Sequence, residues 1–209
     1  MNPDWITGLK EEFRRPLPGL PAQMRMAPSV IRSGKSALPV RDSGVLLLLY
    51  PAGVSLSTVF MKRPEYGGPH SGQISFPGGK SEKGDDSLID TALRESHEEL
   101  GISPPSVDVL GTLTPLTIPV SRFKVLPVVG FLPEKPRFIP DPEEVEYLIE
   151  VEMRLLMKAG IVKREILTLG DQPVEVPYYD IYGHHVWGAT AMILSEFLEI
   201  VRQIEKSHT

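Results

Sequence analysis

The chain has 209 residues, of which 41% are apolar and 23% are charged, a composition typical of a globular domain with one substantial core. Its formal net charge of -5 argues against a basic nucleic-acid-binding surface, so a small molecule is the expected partner. Because the chain contains no cysteine, disulfides, thiolate nucleophiles and cysteine-ligated zinc are excluded.

The sequence gives no sign of a membrane segment. Its longest aliphatic run, residues 45–49, is far too short to span a bilayer, and residues 1–15 carry acidic side chains where a signal peptide would have an apolar run. We therefore expect no membrane association and a cytoplasmic location.

The first predicted element is an amphipathic helix over residues 4–15, because its apolar side chains recur at helical spacing. Prolines within residues 16–21 then break the pattern. We expect a helical and proline-rich N-terminal extension with a stiff linker over residues 1–35, ahead of one domain over residues 36–209.

The following elements alternate between strands and helices. A helix is predicted over residues 86–100, capped by Asp85 or Asp86 and ended by Gly101. Strands and further helices complete the pattern, and the segments are strands at residues 44–50, 56–63, 107–114, 124–132 and 147–153, and helices at residues 154–159 and 190–205. A mixed sheet covered by helices is the simplest packing.

Three carboxylates of the predicted helix carry the first sign of chemistry. Glu95, Glu98 and Glu99 are spaced by three and four residues, so we expect them to project from one side. Like charges at this spacing cost about 0.2–0.5 kcal/mol per pair, and Arg94 offers local compensation to Glu98. Mg²⁺ would neutralise the negative charge that Arg94 leaves uncompensated, since it binds one or two carboxylates together with phosphate oxygens. The pattern predicts a pyrophosphate site.

A glycine turn precedes this helix. Residues 76–80 read Phe-Pro-Gly-Gly-Lys, and paired glycines let the backbone approach a metal ion or a phosphate without a Cβ in the way. Residues 79–102 resemble the Nudix box, G-x5-E-x7-R-E-U-x-E-E-x-G-U. The Arg-Glu-x-x-Glu-Glu-x-Gly core is intact, with one extra residue after Gly79, Asp86 in place of the first glutamate and Ser96 in place of an aliphatic residue.

The stretch before the box narrows the resemblance. Residues 63–79 contain an arginine followed by His-Ser-Gly-Gln-Ile-Ser-Phe-Pro-Gly-Gly, which is similar to the coenzyme A pyrophosphatase branch of the Nudix family. That branch also tolerates the extra residue and the aspartate, and residues 186–191 look like another of its landmarks. Gly67 departs from the branch, which usually has leucine there.

The resemblance implies a Nudix-type α/β fold, an α/β/α sandwich with a mixed β-sheet. It also implies Mg²⁺- or Mn²⁺-dependent hydrolysis of the diphosphate of coenzyme A or its thioesters, giving 3′,5′-ADP and 4′-phosphopantetheine or its acylated form. It is compatible with a homodimer.

Site roles follow from the box. Glu95 and Glu99 are the first choice as metal ligands, followed by Glu98 and the carbonyl of Gly79, while Arg94 would pair with Glu98 and orient it. The general base stays open between Glu95 and an acid of the 143–146 segment, which contains Glu143, Glu144 and Glu146.

Three residues are candidates for substrate binding. Arg63 at a strand end, His70 in the loop before the glycines and Lys80 beside them could each contact phosphate, but a surface arginine, a loop-bracing histidine and an exposed lysine are equally plain interpretations. Three aromatic residues could stack on adenine or fill the core, and these are Tyr178, Tyr179 and Trp187.

Two other functions remain as alternatives. A Nudix hydrolase for another nucleoside diphosphate derivative, such as ADP-ribose, would share the box. A Nudix domain that senses a nucleotide without cleaving it would also share the box, although every box carboxylate is present here.

Overall fold

The computed structural model describes residues 4–30, 39–53, 55–65, 71–119, 121–169 and 172–207. The helices in these ranges are α1 (Asp4–Glu12), α2 (Gly19–Met24), α3 (Leu88–Leu100), α4 (Met153–Leu156) and α5 (Gly188–Ser207). The strands are β1 (Arg41–Ala52), β2 (Ser55–Lys62), β3 (Ile74–Ser75), β4 (Gly78–Lys80), β5 (Asp108–Thr112), β6 (Leu116–Ile118), β7 (Phe123–Phe131), β8 (Tyr147–Glu152), β9 (Val162–Leu169), β10 (Gln172–Ile181) and β11 (His184–Trp187). No helix within these ranges is long and apolar enough to cross a membrane.

The large sheet is built around β1. This strand runs parallel to β7, with Leu46 opposite Val128, and antiparallel to β2, with Leu49 opposite Thr58. The strand order is β3-β2-β1-β7-β5, and β4, β6 and β8 pair with β1, β7 and β2 respectively. A parallel pair among antiparallel neighbours makes the sheet mixed, as predicted.

Helices cover both faces of β1, which is why its residues form an almost continuous buried apolar run. Leu46 and Leu48 lie in the apolar cluster that contains side chains of α3. Leu47 and Leu49 point to the opposite face, as alternate strand residues do, and lie in the cluster that contains α1 and α5. This arrangement confirms the predicted α/β/α sandwich.

A second sheet, with strand order β11-β10-β9, was not expected from the sequence pattern. Pro173 and Pro177 lie in β10, and charged residues recur along β9, so both segments lack the usual signature of a strand. Charged side chains of the two strands form ion pairs with each other, and Lys163 of β9 contacts Asp180 of β10. These segments therefore form strands because they pair with each other, and the local sequence pattern does not indicate such pairing.

The N-terminal segment also differs from the expectation of a stiff linker. Pro21 lies in the first turn of α2, where a missing amide proton costs no helical hydrogen bond. The helix packs against α5, and the amide of Gln23 donates to the buried carboxylate of Glu196 at 2.8 Å. The proposed boundary between residues 35 and 36 lies outside the described residues and stays a prediction.

Candidate active site

The glycine turn, residues 76–80, leads from β3 into β4, and both of its glycines lie in β4, where they pair with β1. Gly78 has a φ of +146°, and a Cβ on it would lie 2.3 Å from the carbonyl oxygen of Gly44. Phe76 holds the turn against the core, because its buried ring packs on Phe60 with the two ring centroids 4.8 Å apart. Only glycine fits at residue 78, and the turn therefore has a fixed position relative to the central strand.

Helix α3 begins and ends at clear signals. The Ser87 hydroxyl accepts a hydrogen bond from the amide of Asp90 at 3.2 Å, and Gly101 ends the helix in the left-handed conformation. The prediction of Gly101 is confirmed, whereas the predicted cap at Asp85 or Asp86 is wrong, since the capping residue is Ser87. The helix lies close to β1 because Gly44 has no side chain to meet the Leu88 carbonyl oxygen.

Glu99 is the buried carboxylate of the site, with a side chain 1% exposed. It accepts a hydrogen bond from the amide of Gly78 at 2.7 Å and from Nη2 of Arg63 at 3.0 Å. Burial raises the pKa of Glu99 to about 8, against the opposing effects of Arg63 and the Gly78 amide, and the charges of Glu95 and Glu144 raise it further. Burial is therefore the main reason that this carboxyl resists ionisation, and Arg63 and the Gly78 amide offset it only in part.

Glu95 lies against the second glycine of the turn. A Cβ on Gly79 would lie 2.2 Å from Oε2 of Glu95, so the carboxylate fills the space that the missing side chain leaves. Nη2 of Arg94 is 3.0 Å from Oε1 of Glu95. Burial raises the pKa of the Glu95 carboxyl, Arg94 opposes the rise, and Glu98 and Glu144 add to it. Glu95 and Glu99 thus form a pair at the glycine turn.

Glu98 lies apart from this pair, contrary to the expectation that three carboxylates converge. Its carboxylate is 52% exposed and contacts Nη1 of Arg94 at 2.7 Å. A helix turns about 100° per residue, so Glu98 and Glu99 point in directions about 100° apart even though each is near Glu95 in sequence. Across the described ranges, no three Asp, Glu or His side chains are grouped closely enough to hold a metal ion. The metal ligand roles of the box residues stay predictions.

Arg94 binds Asp85 through two of its nitrogen atoms, and Asp86 is not its partner. Its Nε lies 2.9 Å from Oδ1 of Asp85, whose side chain is 4% exposed, whereas Asp86 is exposed. The acid of the box is therefore better placed at residue 85, which five residues separate from Gly79 as in the usual motif, and the extra residue follows the acid. The unaltered spacing from Gly79 was the sequence signal for this alignment.

The residues expected to bind substrate have different environments. Arg63 faces inward, donating from Nη2 to Glu99 and, at 3.0 Å, to the Gly78 carbonyl. Lys80 is exposed on β4, and its carbonyl accepts from Arg94 at 3.1 Å. His70 lies outside the described residues. The roles of all three in substrate binding stay predictions.

Two of the aromatic candidates belong to the core. Tyr178 and Tyr179 are 8% and 2% exposed, whereas Trp187 is only partly buried and lines a pocket with residues of β2 and β8. The acidic 143–146 segment lies beside this region. Glu146 binds Lys62 at 2.8 Å, while the charge of Glu144 acts on both Glu95 and Glu99.

The site therefore consists of a glycine turn, two partly or fully buried carboxylates and two arginines that hold them. Its carboxylate oxygens suit a hard divalent cation, which in turn binds phosphate oxygens. Ser43 adds a further constraint, because its hydroxyl donates to the Gly79 carbonyl at 2.6 Å.

Comparison with known protein families gives the same picture. The family model for the NUDIX domain matches residues 40–168. Nudix hydrolase 22 of Arabidopsis thaliana, named as chloroplastic, is 31% identical over 205 residues, which cover 95% of this chain and 65% of that protein. The uncharacterised Nudix hydrolase NudL of Citrobacter koseri is 39% identical over 129 residues, covering 61% of this chain and 66% of that protein.

A shorter match connects the chain to NudL of Pectobacterium atrosepticum, which is 50% identical over 84 residues, 40% of this chain and 43% of that protein. The matched region thus spans from 43% to 66% of the length of these three relatives.

Solved structures share the fold at low sequence identity. A Nudix hydrolase from M. smegmatis, RenU, has a TM-score of 0.54 at 14% identity and covers 83% of this chain and 94% of its own. A MutT/nudix family protein from Enterococcus faecalis has a TM-score of 0.53 at 18% identity, covering 82% and 66%. The box, the sandwich fold and the family match agree, and the chain belongs to the Nudix family.

Proposed function

We propose that this protein is a Mg²⁺- or Mn²⁺-dependent pyrophosphohydrolase that cleaves the diphosphate of coenzyme A or a derivative. The products are 3′,5′-ADP and 4′-phosphopantetheine or its acylated form. The observation that carries the catalytic part is the Glu95 and Glu99 pair, which is held at the glycine turn although burial raises the pKa values of both carboxyls and the charge of Glu95 adds to the rise at Glu99.

The residues present fit a divalent cation. Glu95 occupies the space beside Gly79 that a Cβ would fill, and the buried Glu99 is paired with Arg63. Both groups offer carboxylate oxygens, the donors that Mg²⁺ and Mn²⁺ prefer. We assign Glu95 and Glu99 as the residues that hold the cation, with Glu98 and the Gly79 carbonyl as additional oxygen donors. When bound, the cation neutralises diphosphate charge and acidifies water.

The protein's own residues prepare the site for this chemistry. Arg63 and the amide of Gly78 fix the Glu99 carboxylate through two hydrogen bonds. Arg94 connects Glu95, Glu98 and Asp85, so it orients the acidic face of α3 without entering the buried position. Phosphoryl chemistry depends mainly on positioning and charge neutralisation, and such a rigid frame supplies the positioning.

A proton acceptor for the attacking water comes from Glu95 or Glu144. Glu95 is largely buried, and burial raises its pKa, which makes it a better proton acceptor than an exposed glutamate. Glu144 is exposed, and its charge is felt at both box carboxylates. Glu144→Gln distinguishes them, because Glu144 is not assigned to the cation. If Glu144 is the base, this variant loses the pH dependence of kcat/KM on its acidic side, and if Glu95 is the base, the pH dependence stays.

The coenzyme A assignment is supported by the similarity of residues 63–79 to that branch of the family. A substrate panel tests it: purified protein with Mg²⁺ is incubated with coenzyme A, acetyl-coenzyme A, oxidised coenzyme A and ADP-ribose, and products are identified by mass spectrometry. We expect 3′,5′-ADP from the coenzyme A compounds. Rapid cleavage of ADP-ribose with coenzyme A intact would refute the assignment, and tight binding without turnover would identify a sensor.

A further inference from the structure

A pocket of about 440 Å³ lies where the two sheets meet, within the range of about 300–1,000 Å³ usual for small-molecule sites. It is lined on one side by Lys62 of β2 and Tyr147 of β8, and on the other by His184, His185 and Trp187 of β11. Strand β11 thus brings residues of the unpredicted sheet to the edge of the large one.

The lining offers aromatic faces. The rings of Tyr147 and His184 lie 5.6 Å apart at an interplanar angle of 42°, and Tyr147 is 37% exposed. Trp187, also partly exposed, extends the aromatic surface. Nucleobases stack on partly exposed aromatic side chains, and this stacking depends little on which base is bound.

The lining also offers a cation. Nζ of Lys62 lies 5.5 Å from the centre of the Tyr147 ring and 2.8 Å from a carboxylate oxygen of Glu146, with Glu65 at 4.0 Å. An ammonium group has three donors, so a phosphate oxygen can join the carboxylates around it. An aromatic face beside an ammonium suits a nucleobase that carries a nearby phosphate.

Two residues that line the pocket are close in sequence to residues that act on the carboxylates of the candidate active site. Lys62 precedes Arg63, whose guanidinium binds Glu99, and Tyr147 follows the segment in which Glu144 acts on the same carboxylate. Successive side chains of an extended strand point to opposite faces, so Lys62 and Arg63 leave the end of β2 in different directions. A substrate that passes around this strand end can place its diphosphate at the carboxylates and its base in the pocket.

From this juxtaposition we infer that the pocket binds the nucleoside bisphosphate end of the substrate, with the base against Tyr147 and Trp187 and the 3′-phosphate at Lys62. The inference rests on the proposed function. The opposite end, a flexible pantetheine arm, has no aromatic ring to stack and extends away from this pocket.

Binding of 3′,5′-ADP, followed by tryptophan fluorescence, tests the inference. The chain has two tryptophans, and Trp5 packs on the core at α1, far along the chain from the pocket. We expect quenching in the wild type and its loss in Trp187→Phe. Tyr147→Leu and Lys62→Met should each weaken binding about tenfold or more and raise KM for coenzyme A with little change in kcat.

Matched controls are available on the second sheet. Lys163 is an exposed lysine that, like Lys62, pairs with an acid, and Tyr182 is an exposed tyrosine outside the pocket lining. Lys163→Met and Tyr182→Leu should leave both binding and turnover unchanged. Circular dichroism and thermal unfolding establish that each variant is folded.

The outcomes separate the two proposals. If coenzyme A is cleaved but 3′,5′-ADP binding is the same in all variants, the pocket assignment is wrong. The assignment is also wrong if Tyr147→Leu and Lys62→Met weaken binding of 4′-phosphopantetheine instead. If pocket variants weaken 3′,5′-ADP binding while coenzyme A is never cleaved, the pocket assignment stands and the proposed function fails.

Discussion

Arg94 holds the carboxylate of Asp85 through two donors, with Nε 2.9 Å from Oδ1 and Nη2 3.1 Å from Oδ2. The same guanidinium reaches Glu95 and Glu98, so one side chain joins the loop before α3 to the acidic face of that helix. Thr91 adds a hydrogen bond from its hydroxyl to Asp85 at 2.8 Å. Asp85 is therefore the point at which the loop is fastened to the helix.

We predict that Asp85→Asn lowers the free energy of unfolding by about 2 kcal/mol at pH 6, a typical value for a charged hydrogen-bonded pair. Arg94 holds the pKa of the Asp85 carboxyl well below its usual range, so the folded state binds fewer protons than the unfolded state. Its contribution is present above the ordinary aspartate pKa of about 3.9 and is lost as the pH falls below that value.

Urea denaturation at pH 6, 4 and 3 measures this effect. The wild type should lose more stability than Asp85→Asn as the pH falls, so the difference between them should shrink. Asp86→Asn is the matched control, because Asp86 is exposed. An equal effect of the two substitutions at pH 6 would show that Asp85 has no special role.

Gly79→Ala should abolish most of the activity while the protein stays folded. The new methyl group would lie 2.2 Å from Oε2 of Glu95, so the carboxylate must move, and misplacement by about 1 Å can cost about 100-fold in rate. Gly84→Ala is the control, since no atom lies within 4 Å of a Cβ at that position. Steady-state kinetics with the cleaved substrate would disprove the prediction if both variants were equally active.

The sequence predicted the elements whose side chains follow a local period. Helix α3 and strands β1 and β2 have continuous apolar patterns and explicit ends, such as Gly101, and all three were located to within a few residues. The Arg94 to Glu98 contact also follows directly from i,i+4 spacing. Local geometry is sufficient for such features.

Other features depend on partners distant in the chain. Strand β10 contains two prolines and is recognisable as a strand only through its pairing with β9 and β11. The inward orientation of Arg63 depends on Glu99, 36 residues later.

Glu196→Gln should destabilise the protein by about 1–3 kcal/mol without altering the active-site carboxylates. Glu196 is fully buried on α5 and accepts hydrogen bonds from the amide of Gly19 at 3.0 Å, the side chain of Gln23 at 2.8 Å and the hydroxyl of Thr114 at 2.7 Å. A glutamine would direct an NH₂ group at one of these donors and leave it unsatisfied.

Thermal unfolding and limited proteolysis check this prediction. Cleavage should increase within residues 13–30, because Glu196 fastens α2 to α5. Glu199→Gln is the control, since Glu199 contacts Arg25 and Arg202 nearer the surface. If Glu196→Gln unfolded at the wild-type temperature, the buried carboxylate would not secure the N-terminal segment.

Glu99→Gln should lower kcat by about 100-fold or more, since even the loss of a supporting partner of a metal ligand costs about 10- to 100-fold. The free energy of unfolding should change less than kcat does, because two effects oppose each other. Glutamine would turn its NH₂ group toward Nη2 of Arg63, but it keeps an oxygen acceptor for the Gly78 amide and removes a charge that burial disfavours. Turnover near the wild-type rate would remove Glu99 from the proposed cation site.

Removal of divalent cations should lower the melting temperature. At a Mg²⁺ concentration about 100 times its dissociation constant, binding to the folded state contributes about 2.7 kcal/mol, which is about 5–11 °C in a chain of this size. Thermal unfolding with EDTA and with excess Mg²⁺ measures the shift. Glu95→Gln and Glu99→Gln should abolish it, whereas the exposed Glu82→Gln should keep it. A full shift in both box variants would place the cation elsewhere.

Glu98→Gln tests whether Glu98 is also a cation ligand. If the shift in melting temperature is unchanged in this variant, Glu98 only pairs with Arg94. If the shift is smaller, Glu98 belongs to the cation ligands.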